Sequence, residues 1–258
     1  MNVPEGNTAN AIIRTENLSK AFGENHVLRD VSVTIAEKSL FAVIGQSGTG
    51  KSVFFKTLIG MLKPDSGRVW FKNTELTSLK KKEITAFRQR FGYSFQNAAL
   101  FDSMTVEENL SFPLIEVLGM KNRSKIKKQV TELLEWIELP GIELKWPDEL
   151  SGGMRKRVGV ARALILKPEV LFFDEPTTGL DPVLSETINN LVVRVNKELG
   201  ITCVLITHDI SAAFRITDRI AFLDQGYMIA DGTPEELAKS EHPLVKDFIR
   251  IAIGGLTK

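Results

Sequence analysis

The sequence predicts an α/β fold, and two features of the chain carry that prediction. The first is a set of short, continuous apolar runs, which are typical of strands buried on both faces of a sheet. The second is a change to helical spacing after Gln96, which predicts an inserted helical region of roughly seventy residues. The apolar runs are Leu40–Ile44, Val170–Phe173 and Ile201–Ile206.

The composition limits the kind of protein this is. With 258 residues, of which 43% are hydrophobic, the chain can bury a large core. Its 33 Lys and Arg residues nearly balance its 32 Asp and Glu residues, so we expect no nucleic-acid partner. The single cysteine, Cys203, lies in an apolar run and is expected in the core. The sequence shows no membrane-span pattern and no signal-peptide pattern, so we expect a cytoplasmic protein that reaches a membrane through a partner.

The patterns divide the chain into a lead, one large domain and a tail. Residues 1–11 are polar and without periodicity, which predicts a flexible lead. The domain spans residues 12–250, and its end overlaps a C-terminal helix and tail at residues 239–258. Within the domain we predict a core of residues 12–95 and 164–238 around a helical subdomain of residues 96–163.

The remaining elements are predicted from their spacing and from Gly and Pro at their ends. Predicted strands are Ile12–Leu18, Val31–Ile35, Arg68–Phe71, Gly92–Gln96, Ile220–Leu223 and Tyr227–Ala230. Predicted helices are Ser52–Met61, Leu79–Arg90, Thr105–Val117, Ser124–Glu138, Gly153–Leu166, Pro182–Leu199, Thr233–Lys239 and Pro243–Ile253.

A glycine-rich loop follows the apolar run that ends at Ile44. Its sequence, GQSGTGKS, matches the P-loop pattern, in which backbone N–H groups and the start of the next helix surround a polyphosphate. We expect Lys51 to reach the β- and γ-phosphates and the hydroxyl of Ser52 to bind Mg²⁺. The predicted nucleotide-binding residues of this loop are Gly45, Gln46, Ser47, Gly48, Thr49, Gly50, Lys51, Ser52 and Val53.

Two adjacent carboxylates end the run Val170–Phe173. An Asp delivered by a buried strand beside a P-loop is a typical Mg²⁺ ligand, which assigns Asp174 to the metal. Neighbouring side chains on a strand point to opposite faces, so Asp174 and Glu175 can share one task only if the strand has ended. Glu175 is the candidate that positions the attacking water. In isolation, the same pair would be interpreted as a solvated strand end.

Phe22 and His208 each have a structural and a ligand-binding interpretation. Phe22 precedes a glycine turn, where it can stack on an adenine ring or pack in the core. His208 follows the run Ile201–Ile206, and a lone His in such a place is often structural. It lies at the edge where a doubly wound sheet binds its ligand, so we expect a contact with the γ-phosphate.

A second glycine-rich helix start lies at Leu150–Met154, with the sequence LSGGM. Ser151 is placed to cap this helix, and the glycine-rich first turn leaves backbone donors open to an anion. One nucleotide does not need two such helix starts. The surplus indicates a dimer.

Taken together, these segments resemble the ATP-binding-cassette (ABC) transporter ATPases over residues 12–250. The LSGG segment at this distance from the P-loop separates that family from kinases and GTPases. The resemblance implies a P-loop NTPase fold: a RecA-like mixed sheet, an antiparallel β subdomain and an inserted α-helical subdomain. The matching series is Phe22, the Walker A loop Gly45–Ser52, Gln96 of the Q-loop, the signature Leu150–Met154, the Walker B strand Val170–Asp174 with Glu175, Asp181 of the D-loop, and His208.

The resemblance implies a head-to-tail homodimer of ATPase subunits. Each ATP would lie between the P-loop of one subunit and Ser151, Gly152 and Gly153 of the other. Asp181 would also belong to the nucleotide site. Phe22 stands where a Tyr is common in the family, which keeps the stacking and loses a hydroxyl.

The resemblance also implies how ATP hydrolysis drives a membrane partner. Gln96 would join Ser52 and Asp174 at Mg²⁺ and link that metal to the helical subdomain and to an integral-membrane permease. The residues implied in catalysis are Lys51, Gln96, Glu175 and His208.

Three stretches resemble, more narrowly, the ATPases of MCE-type (mammalian-cell-entry) lipid transporters; they are Gln96–Leu114, Ser151–Arg162 and His242–Phe248. Those complexes move lipids between the inner and outer membranes of bacteria or across plastid envelopes. The resemblance implies phospholipid or other lipid transport, an MCE-type lipid-binding subunit, and a place on the inner face of the inner membrane through the permease. An importer ATPase for a small polar solute is the alternative within the family. A soluble ABC protein acting on DNA or ribosomes would carry two cassettes or a long coiled coil, and this sequence shows neither pattern.

Overall fold

The computed structural model describes residues 10–254, with side chains described for residues 10–250. The strands are β1 (Ala11–Phe22), β2 (Asn25–Ala36), β3 (Leu40–Ile44), β4 (Ser66–Phe71), β5 (Thr74–Glu75), β6 (Phe91–Ser94), β7 (Val170–Asp174), β8 (Thr202–Thr207), β9 (Arg219–Asp224) and β10 (Tyr227–Gly232). The helices are α1 (Lys51–Leu58), α2 (Lys81–Arg88), α3 (Val106–Glu116), α4 (Arg123–Trp136), α5 (Gly152–Leu164), α6 (Pro182–Leu199), α7 (Ile210–Ile216), α8 (Pro234–Ala238) and α9 (Pro243–Gly254).

The described strands form two sheets. A mixed sheet has the order β10-β9-β3-β8-β7-β6, and an antiparallel sheet has the order β2-β1-β4-β5. Within the mixed sheet, neighbouring strands from β9 to β6 are parallel, and the edge strand β10 is antiparallel to β9. The predicted fold class is therefore confirmed: an α/β fold with a mixed sheet, an antiparallel β subdomain and an inserted helical region.

The central strands are buried on both faces, which explains their continuous apolar sequences. On β3, Phe41 and Val43 pack into a core that joins the two sheets and also holds Phe54 of α1. The intervening residues Ala42 and Ile44 pack into a second core, shared with α3 to α6. Because both cores meet at β3, the end of this strand is held rigidly where the P-loop begins.

The helices α3, α4 and α5 form the predicted insertion between β6 and β7. Buried residues at helical spacing hold α4 in place, namely Ile126, Val130 and Leu134. These residues belong to the same core as the neighbouring face of the mixed sheet, so the insertion packs on the sheet.

Some boundaries differ from the predicted ones. β1 continues to Phe22, beyond the predicted end at Leu18, because its more polar second half pairs with β2. β6 ends at Ser94, so Gln96 lies in the following turn. The sequence patterns do not predict the short helix α7. Of the predicted lead, residues 1–9 lie outside the described residues, and β1 begins at residue 11. Residues 255–258 of the predicted tail also lie outside the described residues.

Among the helices of residues 10–254, none has the length and apolar character that a bilayer-spanning segment requires. In the same range, Cys203 is fully buried, as its apolar surroundings in the sequence predict.

Candidate nucleotide-binding and catalytic site

The parallel strands β3, β7 and β8 end side by side at one edge of the mixed sheet. Polar residues follow each of these strands, so this edge collects the P-loop, two carboxylates and a histidine around one cleft. The volume of the cleft is about 700 Å³. The predicted site residues that line it are Phe22, Ser47, Gly48, Gly50, Lys51, Ser52, Val53, Gln96, Asp174, Glu175 and His208.

Glycines make the P-loop possible at two positions. A side chain at Gly45 would place its Cβ 2.2 Å from the carbonyl oxygen of Leu223, so the loop can start only without one. Gly50 has φ +105° and begins α1 without any side-chain cap. The first N–H groups of α1 therefore have no capping side chain, and the residues of this first turn, Lys51, Ser52 and Val53, line the cleft.

Lys51 bends back over the P-loop. Its Nζ donates to the carbonyl oxygens of Gly45 at 2.7 Å and Gln46 at 2.8 Å, and the residue is only 7% exposed. Burial lowers the pKa of Lys51, while the negative charges of Glu175 and Asp174 oppose that shift. The loop is tightened further by Thr49, whose hydroxyl donates to the Gln46 carbonyl at 2.9 Å.

The two carboxylates separate because the strand ends between them. Asp174 is the last residue of β7, and Glu175 adopts φ +49°, in the left-handed region. The backbone N–H of Glu175 still donates to the carbonyl of Ile206 at 2.9 Å. The alternation of a strand therefore stops at Asp174, and both side chains line the same cleft.

Asp174 is held by a residue that the sequence patterns do not single out. The hydroxyl of Tyr93, on the neighbouring strand β6, donates to Oδ2 of Asp174 at 2.8 Å. Burial, with this hydrogen bond to Asp174, raises the pKa of Tyr93 well above its usual range. Tyr93 thus remains a neutral donor that fixes the orientation of Asp174.

Two side chains contact the carboxylate of Glu175. Its Oε2 lies 2.6 Å from Nδ1 of His208 and accepts a hydrogen bond from the hydroxyl of Thr178 at 3.1 Å. The side chain of Glu175 is 15% exposed, whereas that of His208 is 64% exposed. The carboxylate is therefore held by its neighbours, and the imidazole extends towards solvent. Thr178 is a further residue of the cleft that the sequence patterns miss.

Gln96 lies at the start of a segment that is fixed to the helical insertion. Ala98 and Ala99, just after it, have positive φ angles of 60° and 49°. Their carbonyls accept hydrogen bonds from Nη2 of Arg162, on α5, at 3.0 and 2.7 Å. The fully buried Asn109, on α3, adds bonds from its amide to the backbone between residues 101 and 105. A displacement of either helix would thus move the segment beside Gln96.

Phe22 lies at the end of β1 and is 49% exposed, so it is not a core residue. The Nζ of Lys20 lies 5.4 Å from the centroid of its ring. One face of the cleft therefore ends in an accessible aromatic ring.

Seven predicted residues do not line this cleft: three belong to the P-loop itself (Gly45, Gln46 and Thr49), and four lie at the starts of α5 and α6 (Ser151, Gly152, Gly153 and Asp181). Ser151 is exposed and caps α5, with Oγ accepting from the N–H of Met154 at 3.3 Å. Gly152 and Gly153 follow in the first turn of that helix. Asp181 caps α6, where Oδ1 accepts from the N–H groups at positions 183 and 184 at 3.0 Å.

A family model described as ABC transporter matches residues 28–178, which is more than half of the chain. The chain belongs to the ABC transporter family. ABC ATPases bind ATP and couple its hydrolysis to transport, and their ATPase domains dimerise and act with membrane permease subunits.

Curated proteins that are similar to this ABC ATPase are named for different functions. It is 39% identical over 245 residues to the probable ribonucleotide transport ATP-binding protein mkl of Mycobacterium tuberculosis, covering 95% of this chain and 68% of that protein. It is 40% identical over 225 residues to the methionine import ATP-binding protein MetN of Carboxydothermus hydrogenoformans, covering 87% and 66%. It is 38% identical over 266 residues to the chloroplastic protein TRIGALACTOSYLDIACYLGLYCEROL 3 of Arabidopsis thaliana, covering 96% and 76%.

Solved ABC cassettes share the fold. cbiO1 of Clostridium perfringens, part of the transporter complex cbiONQ, superposes with a TM-score of 0.83 at 32% identity, covering 96% of this chain and 98% of that one. A dimeric cassette in a post-hydrolysis state, bound to ADP and Pi, superposes with a TM-score of 0.78 at 32% identity, covering 86% and 98%.

Proposed function

We propose that this ABC ATPase binds MgATP in the cleft at the ends of β3, β7 and β8 and hydrolyses it there with Glu175 as the catalytic carboxylate. The observation that carries the proposal is the meeting, in one cleft, of Lys51 with the cluster of Glu175, Thr178 and His208. A cation for the phosphates and a positioned base for water are the two groups that phosphoryl transfer to water requires.

The residues present fit a magnesium nucleotide. The P-loop keeps a cradle that a Cβ at Gly45 would fill, and the uncapped start of α1 supplies N–H donors for an anion. Asp174, Ser52 and Gln96 supply carboxylate, hydroxyl and amide oxygens, the ligand type that Mg²⁺ prefers. Bound Mg²⁺ neutralises charge on the phosphate oxygens.

In hydrolysis, each side chain has one task. Lys51 exchanges its bonds to the loop carbonyls for bonds to the β- and γ-phosphates. Glu175 orients the attacking water and accepts its proton, and Thr178 holds that carboxylate in place. His208, on the exposed side of Glu175, reaches the γ-phosphate. Phe22 stacks on the adenine.

The second half of the site comes from a partner copy. Ser151, Gly152 and Gly153 present the start of α5 outside the cleft of their own chain, and Asp181 lies at the start of α6. In a head-to-tail homodimer these residues approach the nucleotide bound by the other P-loop. ATP then joins the two subunits, and its hydrolysis releases them.

Replacing Glu175 with Gln tests the catalytic assignment. Turnover should fall roughly 10²- to 10⁴-fold, with ATP binding retained and the ATP-bound dimer trapped. Steady-state hydrolysis and size-exclusion chromatography with MgATP measure the two effects. Glu186→Gln is the matched control, because Glu186 pairs with Arg215 on the surface outside the cleft. Normal turnover by the Glu175 variant would remove the residue from this role.

We further propose that the transported substrate is a lipid and that an MCE-type lipid-binding subunit completes the complex. One relative bears the name of a galactolipid. Apolar side chains are exposed at Phe101, in the segment after Gln96, and at Ile115, Val117 and Leu118, at the end of α3, and we propose them as contacts for the permease. Through that permease the ATPase would lie on the inner face of the inner membrane.

Import of a small polar solute is the second candidate, because the MetN relative, named for methionine import, matches at similar identity. Purification of the tagged full chain from its own membranes, with identification of the associated proteins, separates the two. A permease that comes with an MCE-type subunit supports lipid transport. A permease that co-purifies with an amino-acid-binding subunit contradicts the proposal of lipid transport.

A further inference from the structure

Lys156 links the signature helix α5 to the loop that carries Glu175. Its Nζ donates to the carbonyl oxygen of Thr178 at 2.7 Å and lies 3.5 Å from that of Glu175. Burial lowers the pKa of Lys156, an effect that the negative charge of Glu175 opposes. The partly buried ammonium group of Lys156 therefore donates to the backbone next to the candidate catalytic carboxylate.

The turn that Lys156 contacts needs outside support. Glu175 has φ +49°, which a residue with a side chain adopts at a cost. Within the turn, the N–H of Thr178 donates to the carbonyl of Glu175 at 3.2 Å, and the hydroxyl of Thr178 holds the carboxylate of Glu175 at 3.1 Å. By holding the carbonyl of Thr178, Lys156 restricts the backbone from which the Thr178 hydroxyl reaches Glu175.

The same helix touches the residues that follow the turn. A Cβ at Gly152 would lie 3.5 Å from Leu180, and one at Gly153 would lie 3.2 Å from Leu184. The first turn of α5 thus rests on the start of α6, and Lys156 makes a polar bond across the same contact. A movement of α5 relative to the sheet would have to stretch the bond between Lys156 and Thr178.

We propose that Lys156 is a positioning residue for ATP hydrolysis. It holds the turn of residues 175–178 so that the Glu175 carboxylate stays aligned with the cleft while α5 is docked. This inference rests on the proposed catalytic role of Glu175 and adds a residue from the helical insertion that acts through it.

Lys156→Met tests the inference, because it keeps the length of the side chain and removes its donors. With the tagged full chain and its co-purifying subunits, we expect kcat to fall about tenfold, equivalent to roughly 1.4 kcal/mol. The KM for ATP should stay unchanged, and the Tm should fall no further than in the Arg157→Met control. Lys156→Arg, which keeps a donor, should restore most of the lost kcat. Combining Lys156→Met with Thr178→Val should cost no more than the worse single variant, since both act on one carboxylate.

Arg157→Met is the matched control on the next position of α5. Arg157 also donates to two backbone carbonyls, those of Ile137 and Glu138, but both lie within the helical insertion. Its loss should lower the Tm and leave kcat per folded molecule unchanged. A Lys156→Met enzyme with unchanged kcat, or with a loss explained by weaker ATP binding or by a smaller folded fraction than in Arg157→Met, would overturn the inference.

Glu175→Gln, assayed alongside, separates the two possible failures. If Glu175→Gln is inactive and Lys156→Met is normal, the positioning role alone is wrong. If Glu175→Gln hydrolyses ATP normally, the catalytic assignment fails, and the role of Lys156 fails with it.

Discussion

The helices α1 and α5 both begin with glycine-rich turns, and the two starts are built differently. α1 begins at Gly50 with no side-chain cap, and the buried Lys51 follows at once. α5 begins at the exposed Ser151, whose hydroxyl oxygen accepts a hydrogen bond from the N–H of Met154. The start of α1 has no side-chain cap and lies in the cleft of its own chain. The start of α5 has a serine cap and lies outside that cleft.

The surroundings of the two helix starts explain the difference. The start of α1 lies in the same cleft as Asp174 and Glu175, so the cation, the carboxylates and the N–H donors meet within one chain. The start of α5 lies outside that cleft and rests on Leu180 and Leu184. The start of α1 thus has its site within one chain, whereas in the proposed head-to-tail dimer the donors at α5 would meet a nucleotide brought by the second copy.

Removal of the cation at α1 should have the largest effect. Lys51→Met loses two charge-assisted hydrogen bonds to phosphate, which predicts a loss of ATP affinity of roughly 100-fold or more. The variant also leaves the carbonyls of Gly45 and Gln46 without their donor, so the Tm is measured alongside and affinity is compared per folded molecule. Isothermal titration with MgATP measures the affinity. Lys56→Met, on the exposed side of the same helix, is the control and should bind normally.

Adding bulk at α5 should leave the first binding step intact and block the second. Ser151→Arg keeps the P-loop of its own chain, so ATP should bind with unchanged affinity, while ATP-driven dimerisation and hydrolysis are lost. Sedimentation of the variant with MgATP reports the dimer. Ser124→Arg, which adds the same side chain at the exposed start of α4, should dimerise normally.

A mixture of the two defective chains sharpens the comparison. In a head-to-tail dimer, the intact P-loop of a Ser151→Arg chain meets the intact α5 of a Lys51→Met chain, which restores one complete site. The mixture should therefore form an ATP-dependent dimer, with one nucleotide per pair, that neither chain forms alone. If each site were built within one chain, mixing would restore nothing.

The position of the P-loop in the fold is predictable from the sequence because the loop is contiguous. Residues 45–53 follow one buried strand and open one helix, so local sequence fixes their geometry. The ends of β7 and β8 are also predictable, since short continuous apolar runs are typical of central strands of a parallel sheet. Asp174, Glu175 and His208 therefore come to the same edge as the loop.

The supporting residues are less predictable because their contacts join distant parts of the chain. Tyr93 meets Asp174 across 81 residues, and Lys156 meets Thr178 across 22. Neither contact leaves a local spacing signal. The helix α7 is missed for a related reason: it is 7 residues long and buries only Ala212 and Ala213, too few for a periodic apolar stripe.

A smaller change at the P-loop tests whether its backbone path decides ATP binding. Gly45→Ala would place its Cβ 2.2 Å from the Leu223 carbonyl oxygen and 2.8 Å from the hydroxyl of Thr49. Displacing that backbone should cost about 1–3 kcal/mol, shared between the stability of the chain and its ATP affinity. Gly119→Ala, outside the cleft and with open space around it, is the control for replacing a glycine without a steric contact. Equal ATP affinity in the two variants would show that the contact at Gly45 does not shape the loop.

The smallest expected effect separates the capping role of Ser151 from its role towards a second copy. Ser151→Ala should lower the free energy of unfolding by about 1 kcal/mol, as should Thr105→Ala at the cap of α3. Only the Ser151 variant should also weaken ATP-driven dimerisation, by about tenfold, since its hydroxyl would bond the partner's nucleotide. Ser151→Thr keeps the hydroxyl and should retain both properties. If Ser151→Ala and Thr105→Ala dimerise equally well, the hydroxyl serves its own helix alone, and the donors at α5 must be backbone N–H groups.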